Sequence, residues 1–455
     1  MKHITGVKSL FEITAENITF INLEVENIQF IDKQSDLTAA NLLMNQIVFS
    51  NFNILHATSI VIFETRIYKS LILDDFTFTS VNWIGFLENV IPIHEIIISN
   101  GNLENGEGIT MLSEGKVDIV DIYNLNYTSS YQTIGDFAHI KDYGSVRDID
   151  IVDTHLDSWL YIGSTSTSNG LYFSNINIQN SNAISGNAIF VSESPNCIFS
   201  DIVVDNSTIT SFLSITATNV TFNDFNITNS QYGYGDSISI TAFNVNIENF
   251  FANGIAFPGS ATGSLLYAHT NDKMTSSIML NNVSITNGIS TAIGLPYNTE
   301  SLVIKINNFG NTSISYLIFD NVFCPLLEIS SSNNAEIISS SFSNIFLVYN
   351  KLIHLTKIDN LYIEDFSSSN CEVFGPFSLI QISESKGRLT NIQITDNGNP
   401  DSTSITGIGI GSSDIVITDS TFINSNAPRA GALFATQTNL TVTNSYFSLV
   451  NTFIL

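Results

Sequence analysis

Short alternations of apolar and polar residues recur along the whole chain. Phe173-Ser-Asn-Ile-Asn-Ile178-Gln-Asn180, Phe199-Ser-Asp-Ile-Val-Val204-Asp-Asn206 and Phe222-Asn-Asp-Phe-Asn-Ile227-Thr-Asn229 share one plan. Calling the first apolar residue i, the plan is apolar at i, i+3 and i+5, with Asn or Asp at i+2 and i+7. Position i runs through Phe20, Phe49, Leu73, Ile98, Val117, Val146, Phe173, Phe199, Phe222, Val245, Leu280, Ile304, Ile337, Ile358, Leu389, Ile417 and Val442. Asn or Asp stands at i+2 in 13 of these 17 places, and at i+7 in 13 of 17.

Alternation up to i predicts a strand with one buried face, and i+3 with i+5 predicts a second. The intervening Asn or Asp suits a sharp bend, because these side chains tolerate left-handed backbone and bond locally. Stacked in successive coils, they form a ladder; its members here include Asn175, Asp201, Asp224, Asn282, Asn391 and Asp419. A third short strand precedes the unit in many coils, as in Leu326-Leu-Glu-Ile-Ser, Leu352-Ile-His-Leu-Thr and Leu379-Ile-Gln-Ile-Ser. Three strands per turn predict an all-β, single-stranded right-handed parallel β-helix of about 17 coils, continuous over residues 1–455. The repeat starts near the first residue and runs to the last, without the polar caps a solenoid needs, which predicts a segment of a longer chain.

Composition narrows the partners. Charged residues are only 13%, and 42 acidic against 15 basic residues give a net charge of −27. Nucleic acid and other polyanions would be repelled. No apolar run is long enough for a transmembrane helix, so direct membrane insertion of this segment is excluded by its sequence. Cys197, Cys324 and Cys371 show no metal-binding spacing, and a bridge between Cys324 and Cys371 stays open.

Thr421-Phe422-Ile423-Asn424-Ser425-Asn426-Ala427, followed by Ala430-Gly431-Ala432-Leu433-Phe434-Ala435, resembles a repeat of the polymorphic outer-membrane protein type. Ser185-Gly186-Asn187-Ala188-Ile189 is similar to its Gly-Ala element. The resemblance implies a pectin-lyase-like right-handed β-helix exposed on a surface, as in large bacterial or protist surface proteins. Enzymes on that fold include lyases and hydrolases. Of the motifs a polygalacturonase-like site would need, only Asp74-Asp75 is present, and Asp75 is a bend residue. Arg147 with Asp148 and Asp150 reads as a surface charge cluster.

One constellation is sharper. Glu328, His354 and Gln381 occupy the same outward position of consecutive third strands, where a Glu–His pair suits acid–base work. An exposed polar ladder, which such folds carry on every face, is the preferred explanation. His269 with Asp272 lacks a third metal ligand. Asn-x-Ser/Thr acceptors occur at Asn17, Asn126, Asn206, Asn219, Asn226, Asn282, Asn311 and Asn439. Register makes Asn17, Asn219, Asn226 and Asn439 outward, hence the glycosylation candidates, and places Asn282 in the ladder.

The expected function is a non-catalytic structural or adhesive module, extracellular or at a cell surface. Its partners would be other proteins, glycans or adjoining repeats of the same protein. No catalytic, metal or cofactor residue is assigned. The alternatives are a carbohydrate-active β-helix enzyme and an intracellular scaffold rod docked in a large assembly.

Overall fold

The computed structural model describes residues 4–7, 17–26, 28–30, 43–57, 60–63, 66–81, 84–88, 93–106, 109–129, 135–156, 159–165, 170–183, 187–232, 235–257, 263–290, 302–323, 326–348, 351–375, 377–398, 407–425, 427 and 430–448. The fold is all β, a right-handed parallel β-solenoid. Contacts divide it into two compact units, Met1–Asn219 and Val220–Leu455. Among the described residues no helix is long and apolar enough to cross a membrane.

Within each unit, identical positions of successive coils pair in parallel. In the first, Phe49 pairs with Leu73, then Ile98, Ile122, Val146, Phe173 and Phe199 follow in register. In the second, Ile247, Leu280, Ile314, Ile337, Ile363, Leu389, Ile417 and Val442 form the same column. Like residues therefore stack on like. Phe173 and Phe199 lie 4.5 Å apart and nearly coplanar, at 5°. Alternate residues point into the lumen, so Leu73, Ile98, Ile122 and Ile314 are fully buried. Each such aliphatic side chain contributes about 1.5–3 kcal/mol by leaving water. Gly101 replaces an apolar residue because the Phe76 ring fills its place; a Cβ there would lie 2.1 Å from the ring.

The register corrects the sequence reading at four places. Ile122, Ile247, Ile314 and Ile363 hold the first column, not Val117, Val245, Ile304 and Ile358. Those four are also inward apolar residues; Val245 lies two residues earlier on the same side as Ile247, so alternation alone fixes neither the side of the coil nor the step along it. Ile304 belongs to the third side, pairing with Leu266 and Leu327. The corrected column gains Asn124, Asn249 and Asp365 as bend residues, all at φ between 53° and 56°. It leaves Tyr316 (φ 55°) and Ser339 (φ 51°) as the exceptions. Among the described residues the solenoid makes about 12 turns, not the 17 expected.

Left-handed backbone turns each corner. Asn175, Asp201, Asp224, Asn282, Asn391 and Asp419 all have φ between 50° and 56°. A second series includes Asn180, Asn206, Asn229 and Asn424. A third follows the third strand at Ser331, Lys357, Glu384, Ser412 and Gln437. Bulky residues here cost about 1–2 kcal/mol each relative to Gly, offset by inter-coil hydrogen bonds. The next residue is often a buried serine. Ser181 Oγ donates to the Gln179 carbonyl at 2.7 Å and accepts the Thr154 N–H from the neighbouring coil at 3.1 Å. Ser207, Ser385 and Ser413 repeat this arrangement. The hydroxyl supplies the acceptor that the corner geometry denies to the backbone, so these buried polar groups are satisfied.

Candidate functional site

The outward column of the third side carries the best-defined polar constellation in the second unit. Strands Ser264–His269, Leu302–Asn307, Leu327–Ser330, Ile353–Thr356 and Ile380–Ser383 are alternating short strands. Their inward residues fix the register, which then stacks Tyr267, Lys305, Glu328, His354 and Gln381 in that order. Glu328 is the pivot. Its Oε1 lies 3.9 Å from Lys305 Nζ and its Oε2 lies 4.0 Å from His354 Nδ1. Lys305 Nζ also sits 5.8 Å above the Tyr267 ring. Gln381 is held by Ser378, whose Oγ donates to Oε1 at 3.1 Å. The His354 N–H is the largest influence holding the Glu328 carboxyl below the usual carboxylate range; burial pushes the other way, and Lys305 and Lys351 add to the lowering. At 4.0 Å the Glu328–His354 contact is longer than a tight hydrogen bond.

Chemically, this column sets one carboxylate between an ammonium and an imidazole. Glycoside hydrolysis needs two carboxylates facing each other across a bond, and this stack contributes one, between Lys305 and His354. Sequence reasoning found Glu328, His354 and Gln381 but missed Lys305 and Tyr267. Placing Ile304 in the first column hid its neighbour Lys305; the alternation Leu302-Val-Ile-Lys-Ile306 was the available signal.

A second polar cluster lies in the first unit. Asp118 Oδ2 is 3.0 Å from His94 Nδ1, and Asp118 Oδ1 accepts from Lys141 Nζ at 3.2 Å. The His94 hydrogen bond is the largest cause of a lowered Asp118 pKa; burial opposes it and Lys141 assists. Arg147 joins Asp121 at 3.1 Å and lies over the Tyr123 ring at 4.2 Å, and it also meets Asp148 at 3.6 Å. Asp74 accepts hydrogen bonds from Ser99 and Asn100, both at 2.7 Å. Asp150 accepts from Asn177 at 3.0 Å.

The remaining residues singled out by sequence are placed as follows. His269 stacks on Tyr267 and its Nε2 is 3.2 Å from Asn271 Oδ1. Among the described residues no group of three or more His, Cys, Asp or Glu is placed to hold a metal ion. Asn219 Nδ2 donates to Asn196 Oδ1 at 2.8 Å and to the Pro195 carbonyl at 3.3 Å, so its amide is engaged. Asn226 and Asn439 are exposed, and the Asn17 side chain lies outside the described residues. Asn282 donates to Asn249, Asn206 to Asn180 and Asn126 to Asn102. Cys197 and Cys371 are free and buried; Cys324 lies outside the described residues. Burial pushes the Cys197 thiol up to about 12.

No protein-family model, no curated protein and no solved structure matches the chain.

Proposed function

We propose that the chain is a non-catalytic structural or adhesive module of an extracellular or cell-surface protein. The observation that supports this reading best is the mutual satisfaction of the side-face ionisable groups. Glu328 sits between Lys305 and His354, and Asp118 between His94 and Lys141. Groups spent on each other across coils stiffen the stack and are not poised to attack a substrate. The polymorphic outer-membrane protein-type repeat and its pectin-lyase-like lineage belong to this proposal, as do the partners named above. Asn226 and Asn439 are the glycosylation positions best suited to it.

A carbohydrate-active enzyme is the rival, favoured by the Glu328–His354 pair. The experiment offers the purified chain to cells and to a glycan array while assaying the same glycans for turnover. Attachment without product is expected. Product formation abolished by Glu328→Gln would overturn the proposal in favour of the enzyme.

A further inference from the structure

One corner of the second unit departs from the ladder. Among the described residues Tyr316 is the only aromatic held in left-handed backbone, at φ 55°, and it is 58% exposed. Bulky side chains are disfavoured in that conformation, which Asn282 one coil earlier and Asp365 two coils later adopt at φ 56° and 53°. The ring also interrupts the amide run: Asn282 donates back to Asn249 at 2.6 Å, and Tyr316 brings no amide to follow it. Residues held against their backbone preference cluster where function outweighs stability. Two further exposed apolar side chains flank this corner. Strand Ser277–Thr286 pairs with Asn311–Asp320, Met279 standing opposite Ser313 and Ser284 opposite Ile318. Met279, 46% exposed, precedes the corner on one coil, and Ile318, 40% exposed, follows it on the next. The neighbours of Ile318 in its own outward column are Ser284 and Ser341, so the column itself does not call for an isoleucine. Single exposed apolar residues are ordinary, whereas three on two adjacent coils make a patch.

Charge around the patch has one sign. Strands Ile238–Asn253, Ser277–Thr286, Asn311–Asp320 and Asn334–Ile338 stack in register through this corner, and they contain Glu248, Asp320 and Glu336 but no Lys or Arg. Ser313 donates to Glu336, and Ser343 and Asn344 donate to Asp320; these neutral donors leave both carboxylates charged. The net charge of −27 has the same sign, so nucleic acid and anionic bilayers would be repelled. A second copy of the chain, with 42 acidic against 15 basic residues, would be repelled as well. A wholly apolar partner would desolvate the carboxylates without pairing them. What complements the surface is a polypeptide segment that sets Lys or Arg beside apolar side chains. Tyr and Met suit such a contact, since both offer large apolar area and the phenol ring face attracts cations.

We propose that the corner at Tyr316 is a docking surface for a basic polypeptide segment, whose apolar side chains cover Met279, Tyr316 and Ile318 and whose Lys or Arg meet Glu248 and Glu336. The inference rests on the adhesive reading and names one contact surface and its partner class. The test offers the full chain to three sets of dodecapeptides: Lys and Arg mixed with Leu and Phe, Lys and Arg mixed with Ser and Gly, and Asp and Glu mixed with Leu and Phe. Affinities of the best binders are then measured in solution at two salt concentrations. Tyr316→Asn installs the residue that the ladder uses at Asn282 and Asn391, so it removes the ring while suiting the corner. Ile318→Ser trims the patch without touching the corner, and Glu384→Gln, an exposed carboxylate at the third corner, is the control. The expected result is preference for the basic, apolar set, with affinity falling roughly tenfold or more in Tyr316→Asn and in Ile318→Ser and unchanged in Glu384→Gln. Binding should weaken with salt, and the melting temperature of Tyr316→Asn should hold or rise. Parent-like affinity in Tyr316→Asn and Ile318→Ser overturns the surface. Preference for either other peptide set overturns the partner class, as does binding to phosphatidylcholine vesicles, or self-association in sedimentation, that Tyr316→Asn abolishes. A lower melting temperature in Tyr316→Asn with parent-like affinity in Ile318→Ser gives the ring a structural role and overturns the proposal. If both patch variants attach to cells as the parent does and no peptide binds, the surface fails and the adhesive reading survives. If the peptides bind as expected while the parent attaches to no cell, the surface stands and the adhesive reading fails.

Discussion

The amide ladder has a polarity that can be reversed by one atom. Asn249 Nδ2 donates to Asp224 Oδ1 at 2.9 Å, and Asn249 Oδ1 accepts from Asn282 Nδ2 at 2.6 Å. Asn391 likewise donates to Asp365, Asn175 to Asp148 and Asn424 to Asp396. A carboxylate has no proton to give, so each aspartate receives from the following coil and begins a run. Asn249→Asp keeps the left-handed corner, which Asp224 and Asp365 already adopt at φ 55° and 53°. It also keeps the acceptor for Asn282, but it loses the donor to Asp224 and sets two carboxylates against each other. The lost bond to a charged acceptor is worth about 1.5–3 kcal/mol. The repulsion of two charges about 4 Å apart runs from about 1 kcal/mol in water to about 4 at a protein surface. With an exposed pair the lower end applies, giving about 2–4 kcal/mol at neutral pH and low salt. Since solenoids open locally, the assay is hydrogen exchange of the amides in strand Ile238–Asn253. Exchange should accelerate by a factor of roughly 30 or more, less in high salt. Asp419→Asn is the converse: Asn391, one coil before, gains a donor to its free lone pair, and exchange nearby should slow severalfold. Unchanged exchange in Asn249→Asp, or faster exchange in Asp419→Asn, would refute the assigned polarity.

Three further outcomes follow from named groups. Glu328 has a folded pKa below its ordinary 4.5, so its contribution to stability is present above that value and is lost as pH falls through the lower folded value. Glu328→Gln should flatten this acid limb in pH-dependent melting, and an unchanged limb would contradict the ion-pair assignment. The Tyr127 hydroxyl and Trp159 Nε1 are buried with their rings 6.3 Å apart; neither makes a hydrogen bond of good geometry among the described residues, although the indole N–H lies close enough to oppose the rise that burial gives the Tyr127 pKa; Tyr127→Phe should therefore change stability by no more than about 1 kcal/mol, and a larger loss in denaturant titration would point to a further partner such as bound water. Cys197, with its thiol pKa pushed to about 12 by burial, should resist alkylation at pH 8 in the folded chain and react on unfolding, as mass spectrometry will read.

The sequence by itself determined the solenoid. Period-2 alternation broken by Asn or Asp at fixed offsets is enough, because inward residues must be apolar and sharp corners favour residues that tolerate left-handed backbone. Asn175, Asp201 and Asp224 were legible for that reason. Only the tertiary structure decided which side of the coil an alternating segment occupies and which step along that side joins the column. Val117, Val245, Ile304 and Ile358 are as apolar as the residues that hold the first column, and inter-coil pairing alone separates them. The same limit governed the side-face chemistry. Glu328 and His354 were visible as a column because their strands look alike, whereas Lys305 was hidden by the misplaced Ile304, and His94, Asp118 and Lys141 come together only through stacking across three coils. The third corner was missed for another reason: Lys357, Glu384 and Gln437 carry no compositional mark of left-handed backbone, and inter-coil hydrogen bonds hold them there against their own preference.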